Sequence, residues 1–113
     1  MSILYTKITF MNDEEMVILN SDYTKERLRK LLLRMNHTQD YASYIVKKSI
    51  YVRGLHKVKI KAGCDDHALL TTVYENGREE VTEFSKTTHI YVYPDGAWRK
   101  ETFKERLVRK RKK

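Results

Sequence analysis

The chain has 113 residues, of which 41% are hydrophobic, and its 23 Lys and Arg against 15 Asp and Glu give a formal net charge of +8. This length suits one domain, and the composition is that of a folded rather than a disordered protein. One cysteine, Cys64, excludes an internal disulfide framework, and no apolar run approaches the roughly 20 residues of a membrane span, so we predict a cytoplasmic protein with no membrane partner.

Charge is sorted into four blocks along the chain. Residues 1–22 sum to −3, residues 23–62 to +9, residues 63–97 to −5 and residues 98–113 to +7. A protein that needed only solubility could scatter its charges. Two basic blocks separated by an acidic one indicate a surface with a positive side, which would meet a polyanion or an acidic protein.

The first part of the chain predicts a hairpin followed by a helix. Alternating apolar residues indicate a strand over 3–10, a polar turn, and a short strand over 16–19. Ser21 or Asp22 can cap a helix over 23–35. The predicted core face of this helix consists of Leu28, Leu31, Leu32 and Met35.

The next stretch is ambiguous between helix and strand. Thr38 can cap a second helix that runs to Lys48. Residues 44–52 are rich in β-branched and aromatic side chains, which equally suit a strand. We favour a short helix followed by a strand from about Ser49.

The acidic block predicts a hairpin. Residues 68–74 and 79–84 flank Asn76-Gly77, and Asn-Gly is the strongest short hairpin signal because both turn positions need a positive φ. A two-residue loop predicts that Glu75 faces Arg78, Thr72 faces Val81 and Leu69 faces Phe84.

The end of the chain predicts two more strands and a basic tail. A strand over 89–93 turns at Pro94-Asp95-Gly96 into a strand over 97–102, and residues 103–108 can form a helical turn around Phe103 and Leu107. Residues 109–113 should be disordered or loosely helical. The sum is an α+β fold with an N-terminal hairpin, one or two helices and then an antiparallel β-meander, in a single domain over 1–108 with a basic tail over 109–113.

The basic residues carry the main functional prediction. Residues 57–61 alternate, with Val58 and Ile60 on one face and three lysines on the other, about 6.6 Å apart, close to the phosphate spacing of a nucleic-acid strand. We predict a small non-enzymatic protein that binds DNA or RNA through phosphates. The predicted contact residues are Lys25, Arg27, Arg29, Lys30, Arg34, Lys57, Lys59, Lys61, Arg109, Lys110, Arg111, Lys112 and Lys113.

Aromatic residues near these lysines allow a second interpretation of this surface, in which it also stacks on bases. Tyr91, Tyr93 and His89 share a strand face, and Trp98 lies just across the turn. An exposed aromatic row beside basic residues would stack the bases of a single strand, whereas aromatic side chains more often fill the core of a small sheet. We favour core or edge packing.

Two further hypotheses come from other classes of protein. The chain could be a protein-interaction module, in the manner of a virus-encoded or mobile-element accessory protein, that docks on an acidic partner such as a host nucleic-acid-processing protein. A hydrolytic enzyme would have to use the cluster of Cys64, Asp65, Asp66 and His67, which more simply suits a turn. We predict no catalytic residue, no metal and no cofactor, and an exposed edge strand allows a homodimer.

Overall fold

The computed structural model describes residues 2–111, which form eight strands and three helices. The strands are β1 Ile3–Thr9, β2 Glu15–Leu19, β3 Ser49–Ile50, β4 His56–Ile60, β5 Ala68–Tyr74, β6 Glu79–Phe84, β7 Thr88–Val92 and β8 Trp98–Lys100. The helices are α1 Lys25–Arg34, α2 Gln39–Lys48 and α3 Phe103–Arg111. The predicted α+β class is confirmed.

A five-stranded sheet with the order β3-β2-β1-β5-β6 forms the middle of the molecule. Its β1–β2 pair is the predicted N-terminal hairpin, and β3 joins β2 in parallel directly after α2. Helices α1 and α2 cover one face of this sheet. The buried residues of that contact include Leu28, Leu32, Ala42 and Ile45 from the helices and Val17, Leu19 and Val73 from the sheet.

A three-stranded sheet with the order β4-β7-β8 packs on the other face of the five-stranded sheet. Ile8 and Ile18 meet Val58, Ile60 and Ile90 in this second core. The Thr6 hydroxyl donates a hydrogen bond of 2.6 Å to the carbonyl of Gly96, so the β7–β8 turn is tied to β1. The layers are therefore the helix pair, the five-stranded sheet and the three-stranded sheet.

The first helix begins later than predicted. Its cap is Thr24, whose hydroxyl accepts from the Arg27 amide at 3.1 Å, and not Ser21 or Asp22. Those two residues lie in a turn closed by Asn20, whose side chain accepts from the Asp22 amide. The predicted cap of the second helix is confirmed, because the Thr38 hydroxyl accepts from the Tyr41 amide.

The predicted register of the second hairpin is wrong by one residue. Tyr74 pairs with Arg78 instead of Glu75, and the loop has three residues with a positive φ at Gly77 alone. This register places Phe84 opposite Ala68, on the face of β5 that packs against the three-stranded sheet. A slip of one residue would turn Phe84 to the opposite face, so burial of Phe84 overrides the simplest turn.

Strands β4 to β8 pair only in antiparallel fashion, as expected, but they divide between two sheets instead of forming one meander. Strand β4 pairs with β7, while β5 and β6 extend the N-terminal hairpin through β1. The reason is long-range pairing of β5 with β1, for which the local sequence carries no signal. Helix α3 also continues to Arg111, beyond the predicted end at residue 108, and residues 112 and 113 of the predicted tail lie outside the described part of the chain.

Candidate polyanion-binding face

The outer face of the three-stranded sheet carries alternating basic and aromatic side chains. Because Val58, Ile60, Ile90 and Val92 point into the core, their neighbours along β4 and β7 point outward. Strand register places Lys57 beside Tyr91 and Tyr91 beside Arg99, and it places Lys59 beside His89. Two of the three lysines predicted from the alternation therefore lie on one surface with residues from two other strands.

Helix α3 lies across this outer face. Its start is a capping box, in which the Thr102 hydroxyl accepts from the Glu105 amide and the Glu105 carboxylate accepts from the Thr102 amide. Glu105 also accepts two hydrogen bonds from Arg99 at 2.8 and 3.0 Å. Arg109 donates two to Glu101 at 2.9 and 3.1 Å. No residue of α3 is buried, so these two bidentate ion pairs, rather than apolar packing, fix the helix on the sheet.

Both carboxylates of this contact are held in their charged form. Hydrogen bonds from Arg99 lower the pKa of Glu105 to about 2, with help from the Thr102 amide. Hydrogen bonds from Arg109 lower the pKa of Glu101 despite some desolvation. At neutral pH each carboxylate is therefore committed to one arginine and leaves the other cations of the face without a partner.

Four cations without a carboxylate partner among the described residues line a cleft of about 530 Å³, which we call the basic cleft. It is lined by Lys59, Lys86, Lys100, Arg106, Arg109, Thr87, Thr88, His89 and Glu101. Within residues 2–111, no carboxylate lies within 4 Å of the charged nitrogens of Lys59, Lys86, Lys100 or Arg106. The basic cleft thus concentrates positive charge from β4, the β6–β7 connection, β8 and α3.

His89 lies against the positive charge of the basic cleft. Burial lowers the pKa of its imidazole, and the nearby Arg109, Lys57 and Lys59 lower it further, while Glu101 opposes them. Its Nδ1 atom is shielded from solvent and has no hydrogen-bond partner among the described residues. The imidazole is therefore a neutral group at pH 7, and its unpaired Nδ1 is covered by neighbouring atoms.

The structure brings together only part of the predicted contact set. Lys57, Lys59 and Arg109 share the outer face of the three-stranded sheet, and Lys110 and Arg111 are exposed at the end of α3. Lys61 is exposed just beyond the end of β4 and lines a second groove, which it shares with Lys59, Phe10 and Met11.

Helix α1 places its cations elsewhere. Because α1 packs on the opposite face of the five-stranded sheet, its basic side is separated from the basic cleft by both sheets. The predicted residues on α1 are Lys25, Arg27, Arg29, Lys30 and Arg34. Arg29 is paired with Glu26 at 2.8 Å, and the Arg27 guanidinium lies 4.9 Å from the centre of the Tyr23 ring.

Sequence reasoning missed three cations of the basic cleft. Lys100 and Arg106 belong to the strongly basic fourth block, so their charge was visible but their position was not. Lys86 lies in the acidic third block and reaches the cleft because β6 and β7 belong to different sheets. Only the pairing of β4 with β7 reveals that these residues are neighbours of Lys59.

The aromatic residues do not form a free stacking platform. Trp98 packs edge-on against Phe84 in the core, with ring centres 5.9 Å apart, which fits the favoured prediction of core packing. The Arg99 guanidinium lies 4.8 Å from the centre of the Tyr91 ring, and the Arg99 Nε donates to the Tyr93 hydroxyl at 3.0 Å. Arg99 thus contacts both tyrosines of the outer face.

The cluster of candidate catalytic residue types forms a turn. The Gly63 amide donates to the Asp66 carbonyl at 2.8 Å. The Nδ1 atom of His67 lies 3.0 Å from the Glu83 carboxylate, and its Nε2 atom lies 3.2 Å from the Cys64 carbonyl. The imidazole therefore faces neither the thiol nor the two aspartates. Among residues 2–111, no group of three or more His, Cys, Asp or Glu side chains is arranged to hold a metal ion.

Comparisons of the chain with protein-family models, with curated proteins and with solved structures found no match. None of the helices in the described part of the chain has the length and apolar character to cross a membrane.

Proposed function

We propose that the protein is a small non-enzymatic nucleic-acid-binding protein that contacts phosphates through the outer face of its three-stranded sheet. The observation that carries this proposal is the convergence on the basic cleft of cations from four separate segments, none of which has a carboxylate within 4 Å in the part of the chain that the structure describes. Such cations bind nucleic acid by displacing condensed counterions from the phosphates. Lys57 and Lys104 line a neighbouring groove between β4 and α3, which extends the positive surface.

Binding through phosphates implies little preference for base sequence. Phosphate contacts fix the position of a protein on nucleic acid but do not read bases. The two tyrosines that could stack bases, Tyr91 and Tyr93, are both engaged by Arg99. We therefore expect affinity that depends on salt much more than on sequence.

The test is fluorescence anisotropy of labelled single- and double-stranded DNA and RNA across a salt series. The variant Lys59→Ala/Lys100→Ala/Arg106→Ala removes three cations from the basic cleft. Each phosphate contact contributes roughly 0.7 to 0.9 to the slope of log K against log salt, so this variant should flatten the slope by about 2 to 3. Sub-micromolar binding by the unaltered protein at near-physiological salt would support the proposal.

A matched control variant distinguishes binding through this face from a general attraction to the net positive charge of the protein. Lys25→Ala/Lys30→Ala/Arg34→Ala removes the same number of charges from α1, on the far side of the five-stranded sheet. It should leave the slope nearly unchanged. Equal losses in the two triple variants, or binding that vanishes for every nucleic acid by about 200 mM salt, would show only the generic attraction of a basic protein.

A protein-interaction module is the second candidate, and the exposed side of the second hairpin favours it. Val81 is 59% exposed on the edge strand β6, where it lies between the exposed Glu79 and Glu83 and diagonally across from Leu69 on β5. An apolar patch bordered by carboxylates suits a protein partner better than a phosphate backbone. This module would capture a stoichiometric partner from a nuclease-treated lysate, and Val81→Glu would abolish the capture. A partner that disappears with the nucleic acid would rule this candidate out.

The predicted homodimer could form by pairing of two copies through the exposed edge of β6, and this can be tested. Light scattering coupled to size-exclusion chromatography measures the mass directly, and 13.5 kDa is the mass of one chain. A dimer through β6 should be lost when Val81 is replaced by proline, which cannot donate to a strand ladder.

A further inference from the structure

The basic cleft carries more positive charge than one internal phosphate of a nucleic-acid strand would neutralise. Among residues 2–111, Glu101 is the one carboxylate that lines the cleft, and both of its oxygens accept from Arg109. Four further cations surround the same space without a carboxylate within 4 Å in residues 2–111. A phosphodiester carries one negative charge, whereas a phosphomonoester carries about 1.5 to 2 negative charges at pH 7 and has three acceptor oxygens.

The shape of the cleft also suits a chain end. The cations that line its volume of about 530 Å³ come from β4, β8, α3 and the β6–β7 connection. Cations from several segments at one cleft can contact the same anion, whereas a stripe of cations along one strand suits a backbone. The volume is large enough for a phosphate with its attached sugar and base.

The histidine of the cleft supplies an uncharged polar group. His89 lines the same space, and its Nδ1 has no hydrogen-bond partner among the described residues. Because this nitrogen is shielded from solvent, an anion in the cleft would act on the imidazole through its charge, and the ring can report that the anion has bound.

We propose that the basic cleft is a subsite for a phosphomonoester, such as the terminal phosphate of a nucleic-acid strand or the phosphate of a free nucleotide. Lys59, Lys86, Lys100 and Arg106 bind its oxygens, and His89 lies beside them. This inference rests on the proposed function for its first source, a strand end, and extends it from general phosphate contact to recognition of an end.

The first experiment compares oligonucleotides of equal charge by fluorescence anisotropy. One has a 5′-phosphate, a second has a 3′-phosphate, and a third has hydroxyl ends and enough extra nucleotides to equal their charge. We expect one phosphorylated form to bind at least tenfold more tightly than the hydroxyl form. Lys100→Ala/Arg106→Ala should abolish this preference, and Lys30→Ala/Arg34→Ala on α1 should keep it.

The second experiment follows the His89 ring signals by NMR during titration with inorganic phosphate and with a mononucleotide. A bound dianion would raise the pKa of His89, because it opposes the effect of Arg109, Lys57 and Lys59 and adds to that of Glu101. The signals are assigned with His89→Gln. The Lys100→Ala/Arg106→Ala variant should show no such shift.

The outcomes separate the subsite from the proposed function. Equal, salt-dependent binding of all three oligonucleotides, with no phosphate effect on His89, would overturn the subsite and leave the general function standing. A His89 shift with mononucleotide together with weak binding of every oligonucleotide would support the subsite, identify the free nucleotide as its source, and overturn the nucleic-acid function.

Discussion

The turn between β7 and β8 contacts β1 of the other sheet, and Gly96 in that turn offers a sharp test of the packing. Gly96 has a φ of +89°, and its carbonyl accepts from the Thr6 hydroxyl of β1. A Cβ atom at position 96 would lie 2.8 Å from the Cγ2 of Ile3. Gly96→Ala therefore introduces both a strained backbone and a steric clash.

The magnitude follows from comparison with a second glycine of almost the same conformation. Gly77 has a φ of +90°, and a Cβ there would meet Met35 at 3.7 Å, an ordinary van der Waals distance. A non-glycine residue in this region loses about 1 to 3 kcal/mol of stability, which is the whole effect expected for Gly77→Ala. Overpacking adds about 1 to 3 kcal/mol, so Gly96→Ala should lose about 2 to 6 kcal/mol.

Urea unfolding followed by circular dichroism measures both losses. The free energy of unfolding should fall further for Gly96→Ala than for Gly77→Ala, by at least about 1 kcal/mol. Shortening the side chain that causes the clash, with Ile3→Ala, should reduce the effect of Gly96→Ala in a double-mutant cycle. Equal losses for the two glycine variants, or no coupling to Ile3, would refute the reasoning.

Three further predictions concern α3, a helix cap and the contact between the sheets. A carboxylate whose pKa is lowered by folding stabilises the folded state above its unfolded pKa of about 4.3 and loses this effect as the pH falls. The contact of Glu105 should therefore weaken between about pH 4.3 and 2. Glu101, whose pKa is also lowered, should lose its contact below about pH 4.3, so that α3 detaches. The amide signals of α3 should then move toward random-coil positions before those of the core strands, and Glu105→Gln should cause a similar change at pH 7. Thr38→Ala removes the cap of α2 and should lower the free energy of unfolding by about 1 kcal/mol in urea, whereas Thr38→Asp should nearly preserve it. Thr6→Val leaves the buried carbonyl of Gly96 without its donor and should lower the melting temperature by an amount equivalent to about 1 to 3 kcal/mol; an unchanged melting temperature would mean that another donor replaces the hydroxyl.

Local signals in the sequence were sufficient for much of the secondary structure. The apolar stripe of α1 and the Thr38 cap of α2 depend on neighbours three or four residues away, and the structure confirms both. The register of the β5–β6 hairpin was wrong because it depends on the burial of Phe84 beneath a sheet that lies elsewhere in the chain. Local turn chemistry cannot report such a contact.

The division into two sheets had the same origin, and it decides what the candidate site contains. The sequence identified Lys57 and Lys59 as an outward stripe, and it identified Arg109 as part of a basic tail. It could not show that Arg109 lies in a helix across that stripe, or that Lys86 joins it from an acidic block. These neighbours follow from pairings over long sequence separations, which charge and periodicity do not encode.

The position of α1 on the far side of the molecule has a consequence for the electric field around it. Stacked layers lie about 10 Å apart, so the basic side of α1 and the outer face of the three-stranded sheet are separated by roughly 20 Å or more. The Debye length at physiological ionic strength is about 8 Å. A polyanion on one side is thus screened from the cations of the other side. The cations of α1 and those of the three-stranded sheet therefore act independently. An ion that approaches either side encounters only part of the net charge of +8.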